Sequence, residues 1–289
     1  GVKIVTPITG MTFTEDKELN QLGYGQEYQI KYTLEPVDAT ASLLTWTSDN
    51  PDMISVDKTG KLKVHTTKTA SAVITASYGP VVQNVTVTVA DGRFWYSLGN
   101  GLGNGQDNNW YLDGNGASVV SSDGKKTIVQ MGSGYRGDLW LARSGKGKVV
   151  NVTPADYRYF AIKVGFKSQL VPGKNKPNGC IKLEIFDDGI KKIGPEYFGT
   201  GGDANNRYEI LGASEISTTE PNVLYYDLQS KYKTVTPTDW NQVFDLAQCK
   251  FVIADFPETA QTYDLYWIRS FKSIEELQAF VDSENNTNE

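Results

Sequence analysis

Histidine is nearly absent from this sequence: His65 is the only one in 289 residues. A Ser-His-Asp or Cys-His mechanism would have to use it, and a zinc site built from several histidines is excluded. His65 falls in the alternating segment KLKVHTTK, where it reads as a surface-facing strand residue. Cysteine is almost as scarce. Cys180 and Cys249 lie in separate strand-like segments, enough for one disulfide or two buried thiols. Buried thiols are the favoured reading, because free cysteine packs as a small hydrophobe. There is also no stripe of basic residues. Lys and Arg total 28 against 34 Asp and Glu, giving a net charge of -6 and a pI near 5.0, which disfavours nucleic acid and anionic membranes as partners. No run approaches the roughly 18 apolar residues of a membrane span, and no signal-peptide core is present. The chain starts Gly1-Val2-Lys3 rather than with Met, and it reads as a processed or trimmed product, as would remain after removal of an export signal.

Phosphate-binding motifs are missing as well, although one stretch imitates them. In FWYSLGNGLGNGQDNNWYLDGNG, Phe94 to Gly116, glycines recur at every second position from Gly99 to Gly105. The dinucleotide fingerprint needs its third glycine one position later and a helix behind it, and a P-loop needs Lys-Ser or Lys-Thr where Gln106-Asp107 stands. The calcium-binding nonapeptide architecture stacks many copies, and here there is one. The stretch is therefore expected to be a long loop at one end of a sandwich.

Strand signals fill most of the chain. Thr, Val and Tyr are abundant, turns carry Gly, Asn and Asp, and period-2 segments recur. FAIKVGF places Phe160, Ile162, Val164 and Phe166 on one face; IKLEIF places Ile181, Leu183 and Ile185 on one face, with Lys182 and Glu184 opposite. Helical turns are expected only at TPADY, at TPTDW and at SIEEL. The last is a capping box of Ser273 with Glu276, opening a short helix whose Ile274, Leu277 and Phe280 form a stripe. Beyond Asp282 the polar tail is expected to fray.

A boundary is expected near Ala90-Asp91-Gly92, dividing a domain of residues 1–91 from one of residues 92–289, because five of the six tryptophans follow it. Before it run Pro36 to Thr40, Trp46 to Pro51, Val56 to Leu62, Ala72 to Ala76 and Val85 to Val89. These ordered motifs closely resemble the bacterial immunoglobulin-like domain of group 2. Thr69 departs from that pattern, in a turn where the family usually has Gly. Trp46 reads as a core anchor and Asp57 to Gly60 as a hairpin turn with a left-handed glycine. No chemistry is expected in this domain, which reads as a spacer.

The second domain closes with Tyr263, Asp264, Tyr266, Trp267 and Arg269, an aromatic-Asp-x-aromatic-x-Arg phrase. It resembles the galactose-binding-like jelly rolls of carbohydrate-binding modules, and in particular the C-terminal domains of surface lipoproteins in gut-bacterial polysaccharide-utilisation systems. The fold class implied is all-β, an N-terminal immunoglobulin-like β-sandwich followed by a larger jelly-roll β-sandwich. The function implied is non-catalytic binding of a polysaccharide or oligosaccharide by a monomer at the cell surface or secreted. An outer-membrane anchor would lie outside this chain, and other outer-membrane glycan-uptake proteins are candidate partners.

Sugar sites combine aromatic faces for C–H stacking with planar polar groups for hydroxyls. On that ground the candidate glycan-binding residues are Trp110, Tyr111, Tyr135, Arg136, Trp140, Tyr197 and Trp240. Trp110 is the best candidate for an exposed platform, because its neighbours are polar or turn-forming. Trp140 is ambiguous within the apolar run DLWLA, Trp240 reads equally as a staple for a turn, and Trp95, Tyr96 and Trp267 read as core. If Trp110 is not the platform, a sheet face carrying Lys182, Glu184 and Tyr225 is the next place to look. The Arg136-Gly137-Asp138 triplet carries little, since three residues match by chance. No cofactor is expected; a structural calcium at Asp264 or in the Asp/Asn loop is a side possibility. For a glycosidase Glu184, Asp187, Asp188, Glu196 and Glu209 are available, but the laminarinase-type E-x-D-x-x-E spacing is absent. A surface protein without glycan specificity and a glycosidase are the competing readings.

Overall fold

The computed structural model describes residues 4–113, 115–143, 150–169, 180–187, 208–229, 239–254, 256 and 261–287. Within them the chain is all-β apart from two short 3-10 turns and one terminal α-helix. It divides into two compact units, Gly1–Phe94 and Trp95–Glu289.

The first unit holds strands β1 (Gly10–Phe13), β2 (Leu22–Tyr24), β3 (Glu27–Gln29), β4 (Tyr32–Glu35), β5 (Thr45–Ser48), β6 (Ile54–Val56), β7 (Lys61–Val64), β8 (Ala70–Tyr78) and most of β9 (Val81–Ser97). One sheet has the order β2-β9-β8-β5, with β2 parallel to β9; another is β3-β7-β6, and β1 pairs with β4. Alternation explains the layering. Val87 and Val89 of β9, and Ala72, Ile74 and Ala76 of β8, are buried while the residues between them are not. Trp46 anchors this core, its ring stacked on Phe13 at 5.7 Å and tilted against Tyr32 at 5.5 Å. The expected hairpin turn is there: Gly60 has φ +83° and donates its N–H to the Asp57 carbonyl at 3.1 Å. A Cβ at Gly60 would stand 2.6 Å from the Trp46 ring, so the turn fixes both the conformation and the size of this residue. His65 bonds Ser55 at 2.8 Å in the neighbouring hairpin.

The second unit begins with Trp95–Ser97 of β9 and continues with β10 (Tyr111–Leu112), β11 (Ser118–Ser122), β12 (Thr127–Gln130), β13 (Leu139–Ala142), β14 (Val150–Val152), β15 (Tyr159–Phe166), β16 (Cys180–Asp187), β17 (Glu209–Ile210), β18 (Asn222–Asp227), β19 (Phe244–Ala254) and β20 (Thr262–Phe271). One sheet centres on β20, which pairs with β15 on one side and with β12 and the end of β9 on the other; β15 continues to β18 and β17. The other centres on β19, with β16 on one side and β13 and β14 on the other, and β10 outside β13. Inward residues of both sheets meet in an aromatic core where Phe251 touches Phe160 at 5.8 Å and Tyr226 at 5.7 Å.

Helix α1 (Ile274–Asn286) starts as expected, Ser273 Oγ accepting the Glu276 N–H at 3.1 Å. It covers part of the outer face of the β20 sheet, with Leu277 fully buried and Phe280 packed on Trp95, Trp267 and Phe271. The tail does not fray at Asp282. Glu284 accepts from Trp267 Nε1 at 3.0 Å and pairs with Lys163 at 3.1 Å, which holds the last turn on the sheet. TPADY forms only a turn, closed by the Tyr157 N–H to the Thr153 carbonyl at 2.8 Å. Most of TPTDW lies outside the described residues. Cys249 is a buried free thiol, pushed well above its ordinary pKa by burial.

Candidate functional site

Residues directly opposite in adjacent strands share a face of the sheet. Tyr111 is opposite Trp140, Trp140 opposite Lys250, and Lys250 opposite Glu184. These four side chains therefore form one row across β10, β13, β19 and β16. Alternate residues point into the core, where Leu139, Phe251 and Leu183 are all fully buried in the same cross-strand register. The row thus lies on the outer face of the second sheet.

Trp140 is the partly exposed aromatic of this row. Lys250 Nζ stands 4.4 Å from its ring centroid and the Arg143 guanidinium carbon 5.0 Å away. Such contacts are worth about 0.5–2 kcal/mol depending on how dry they are. The two cations differ in freedom. Lys250 is held at 3.0 Å by Glu184, and its side chain is 13% exposed; Arg143 pairs with Asp113 and is 45% exposed. Glu184 also pairs with Lys182 at 2.8 Å and accepts from Gln248 Nε2 at 3.2 Å. Burial alone would raise the Glu184 carboxyl, but the hydrogen bonds and charges of Lys182 and Lys250 outweigh it and hold the pKa below the ordinary range. Tyr111 is shifted upward, by burial first and by the Asp113 charge second, against the opposing pull of Arg143. Its ring lies beneath the glycine loop: a Cβ at Gly105, which has φ +84°, would touch the Tyr111 ring at 3.4 Å. The outer face thus offers an aromatic ring, an ionised carboxylate, two ammonium groups, a guanidinium and an amide in one patch. That set can stack on a sugar's C–H face and bond its hydroxyls.

The structure distributes the seven expected residues unevenly. Tyr111 and Trp140 are brought together. Trp110 is not an exposed platform: it is 0% exposed, with its ring 5.5 Å from Phe251, 6.1 Å from Tyr96 and 6.5 Å from Phe160. It immediately precedes the outward-facing Tyr111, so the alternation of the strand sends it inward. Tyr135, at φ +50°, and Arg136 sit in the turn before β13, closed by the Gly132 N–H to the Arg136 carbonyl at 2.7 Å. Arg136 grips Asp138 through Nε and Nη2 at 2.9 and 2.7 Å, and Asp138 accepts the Ile253 N–H at 3.1 Å, so the aspartate of the RGD triplet is buried rather than displayed. Trp240 packs on Phe244 at 6.3 Å, apart from the row. Tyr197 lies outside the described residues.

Lys182 and Glu184 do share the row's face, but Tyr225 does not, because β18 belongs to the other sheet. Sequence reasoning missed Lys250, Arg143 and Gln248, whose signal is visible only once β19 is paired with β13 and β16. Of the closing phrase, Tyr263 is buried and donates to the Gly137 carbonyl at 2.8 Å, and Arg269 lies 4.4 Å from the Trp95 ring. Asp264, considered for calcium, is paired with Lys126 at 2.6 Å. Among the described residues no three His, Cys, Asp or Glu side chains converge as metal ligands. Nor, among them, is any helix long and apolar enough to cross a membrane.

A family model described as a domain of unknown function (DUF4979) matches residues 98–277, which contain the whole row. No curated protein matches the sequence. Among solved structures, the chain is similar to a provisionally named glycoside hydrolase of Bacteroides thetaiotaomicron, at 10% identity and TM-score 0.32, covering 94% of this chain and 98% of that one. It is also similar to domains 4 and 5 of the S-layer protein SbsC, at 12% identity and TM-score 0.25, covering 77% and 87%. A third likeness is to the CBM51-2 and INT domains of Clostridium perfringens ZmpB, at 10% identity and TM-score 0.20, covering 79% and 40%.

Proposed function

We propose that this chain, which belongs to the DUF4979 family, is a non-catalytic glycan-binding protein, displayed on a cell surface or secreted. Its second unit binds a polysaccharide on the outer face around Trp140, and its first unit acts as a spacer. The observation that carries this reading is the Tyr111–Trp140–Lys250–Glu184 row: a partly exposed indole flanked by carboxylate, ammonium, guanidinium and amide groups on a rigid sheet. Sites built on strands hold their geometry better than sites on loops.

The charge state of Glu184 does not suit the proton donor of a glycosidase. A glycosidase acid must keep its proton near neutral pH, which takes a raised pKa. Glu184 is held ionised by Lys182 and Lys250. An ionised carboxylate is instead a good acceptor for sugar hydroxyls.

Affinity electrophoresis of the full chain through gels containing plant, fungal or host polysaccharides tests the proposal. At least one polysaccharide is expected to retard the wild type, with retardation lost in Trp140→Ala and no reducing sugar released. Retardation by none, or release of reducing ends, would overturn it.

A further inference from the structure

We propose a second carbohydrate site, in the first unit, independent of the row around Trp140. A cleft of about 600 Å³ opens between the bend that joins β1 to β2 and the first half of β9. Its walls are Phe13 to Lys17, Leu19 and Asn20 on one side and Gln83 to Thr86 on the other. Two features of the chain create it. β9 pairs with β8 along Val81 to Val89, but β2 joins its other edge only from Val89 onward, so among the described residues no strand lies along the other edge of Gln83 to Thr86. β1 turns away to pair with β4 and leaves the mouth of the sandwich open there.

The lining has the chemistry of a wet, sugar-type site. Gln83 shares the inward side of β9 with Val85, Val87 and Val89, yet it is polar and exposed, so the mouth carries an amide where a closed core would carry an aliphatic side chain. Asn20 adds a second amide, and among the described residues no hydrogen-bond partner holds the side chain of either Gln83 or Asn20. Phe13 supplies an aromatic wall that is fixed in place by its stacking on Trp46 at 5.7 Å. Asp16 is committed elsewhere: it accepts from Tyr28 Oη and from the Glu18 N–H at 2.9 Å, which makes the bend rigid. Glu15 is exposed and adds a carboxylate acceptor. Amides that both donate and accept, set beside an aromatic ring and a carboxylate, suit the hydroxyls of a neutral oligosaccharide. An added peptide strand fits less well, because its side chains on the core side would have to dry the Gln83 amide.

The test uses the full chain carrying Trp140→Ala, which silences the other face, and follows the side-chain amide signals of Asn20 and Gln83 by NMR. The probes are neutral hexasaccharides of glucose, mannose and xylose, together with a peptide copying Val81 to Val89. At least one hexasaccharide is expected to shift these signals saturably, and Gln83→Ala with Asn20→Ala is expected to weaken that binding, read by isothermal titration, about tenfold or more. Both positions are exposed, so the double variant should keep its melting temperature. Shifts with the peptide alone, no saturable shift up to millimolar sugar, or unchanged affinity in the double variant would each overturn the proposal. Failure of the Trp140 face leaves this result untouched, since that face is already disabled here.

Discussion

Trp110 and Tyr111 are neighbours in sequence and opposite in role. Trp110 fills the second unit's core between Phe251, Phe160 and Tyr96, and Tyr111 joins Trp140 on the outer face. Trp110→Ala should therefore cost about 3–5 kcal/mol of stability, the range for emptying an aromatic core position. Trp140→Ala should cost less stability, about 0.5–2 kcal/mol for the cation–π contacts it loses, and about 1–3 kcal/mol of binding if sugar stacking resembles base stacking on an aromatic ring. Melting curves and glycan titrations of both variants check the pair; equal destabilisation by the two would refute the assignment of faces. The sequence did not disclose which was which. Trp110 follows a polar, turn-forming run and opens a strand of only two residues, too short to display a period of two. Trp140 sits in an unbroken apolar run because a buried leucine precedes and follows it, and the loop over Tyr111 further dries that edge. Gly60, by contrast, was legible, since a left-handed turn residue announces itself by type.

Among elements, the pairing of β16 with β19 matters most for the site, because it sets Glu184 between Lys182 and Lys250. The folded pKa of Glu184 is depressed, so its contribution to stability is full above the unfolded value of about 4.3. It is lost as pH falls from there through the folded pKa. Denaturant melts at pH 7 and pH 3 should show a smaller acid loss in Glu184→Gln than in the wild type, and an equal loss would contradict the ion-pair account. Helix α1 offers a second check. Leu277 is fully buried beneath it, so Leu277→Ala should cost about 2–5 kcal/mol, read from the same melts. The start of this helix could be read from Ser273 and Glu276, because capping is local. Its end could not, because Glu284 is held by Trp267 and Lys163, residues 17 and 121 positions away.

At the scale of the whole chain, each unit has its own core, one anchored by Trp46 and the other by Trp110 and Phe251. Alternation made the all-β class legible, and the ordered motifs around Trp46 marked the first unit. Strand order was not legible. Nothing local says that β19 lies between β13 and β16, and the row at Trp140 exists only through that order. Calorimetry should resolve two unfolding transitions, with Trp46→Ala lowering one and Trp110→Ala the other; a single transition lowered alike by both would contradict separate cores. The central claim, that the outer face around Trp140 holds a glycan, is met most directly by isothermal titration of one retarding polysaccharide into wild type and Trp140→Ala. The account predicts saturable binding by the wild type and at least about tenfold weaker binding by the variant, which stays folded with a melting temperature lowered far less than that of Trp110→Ala. Equal affinity in two equally folded proteins would contradict it.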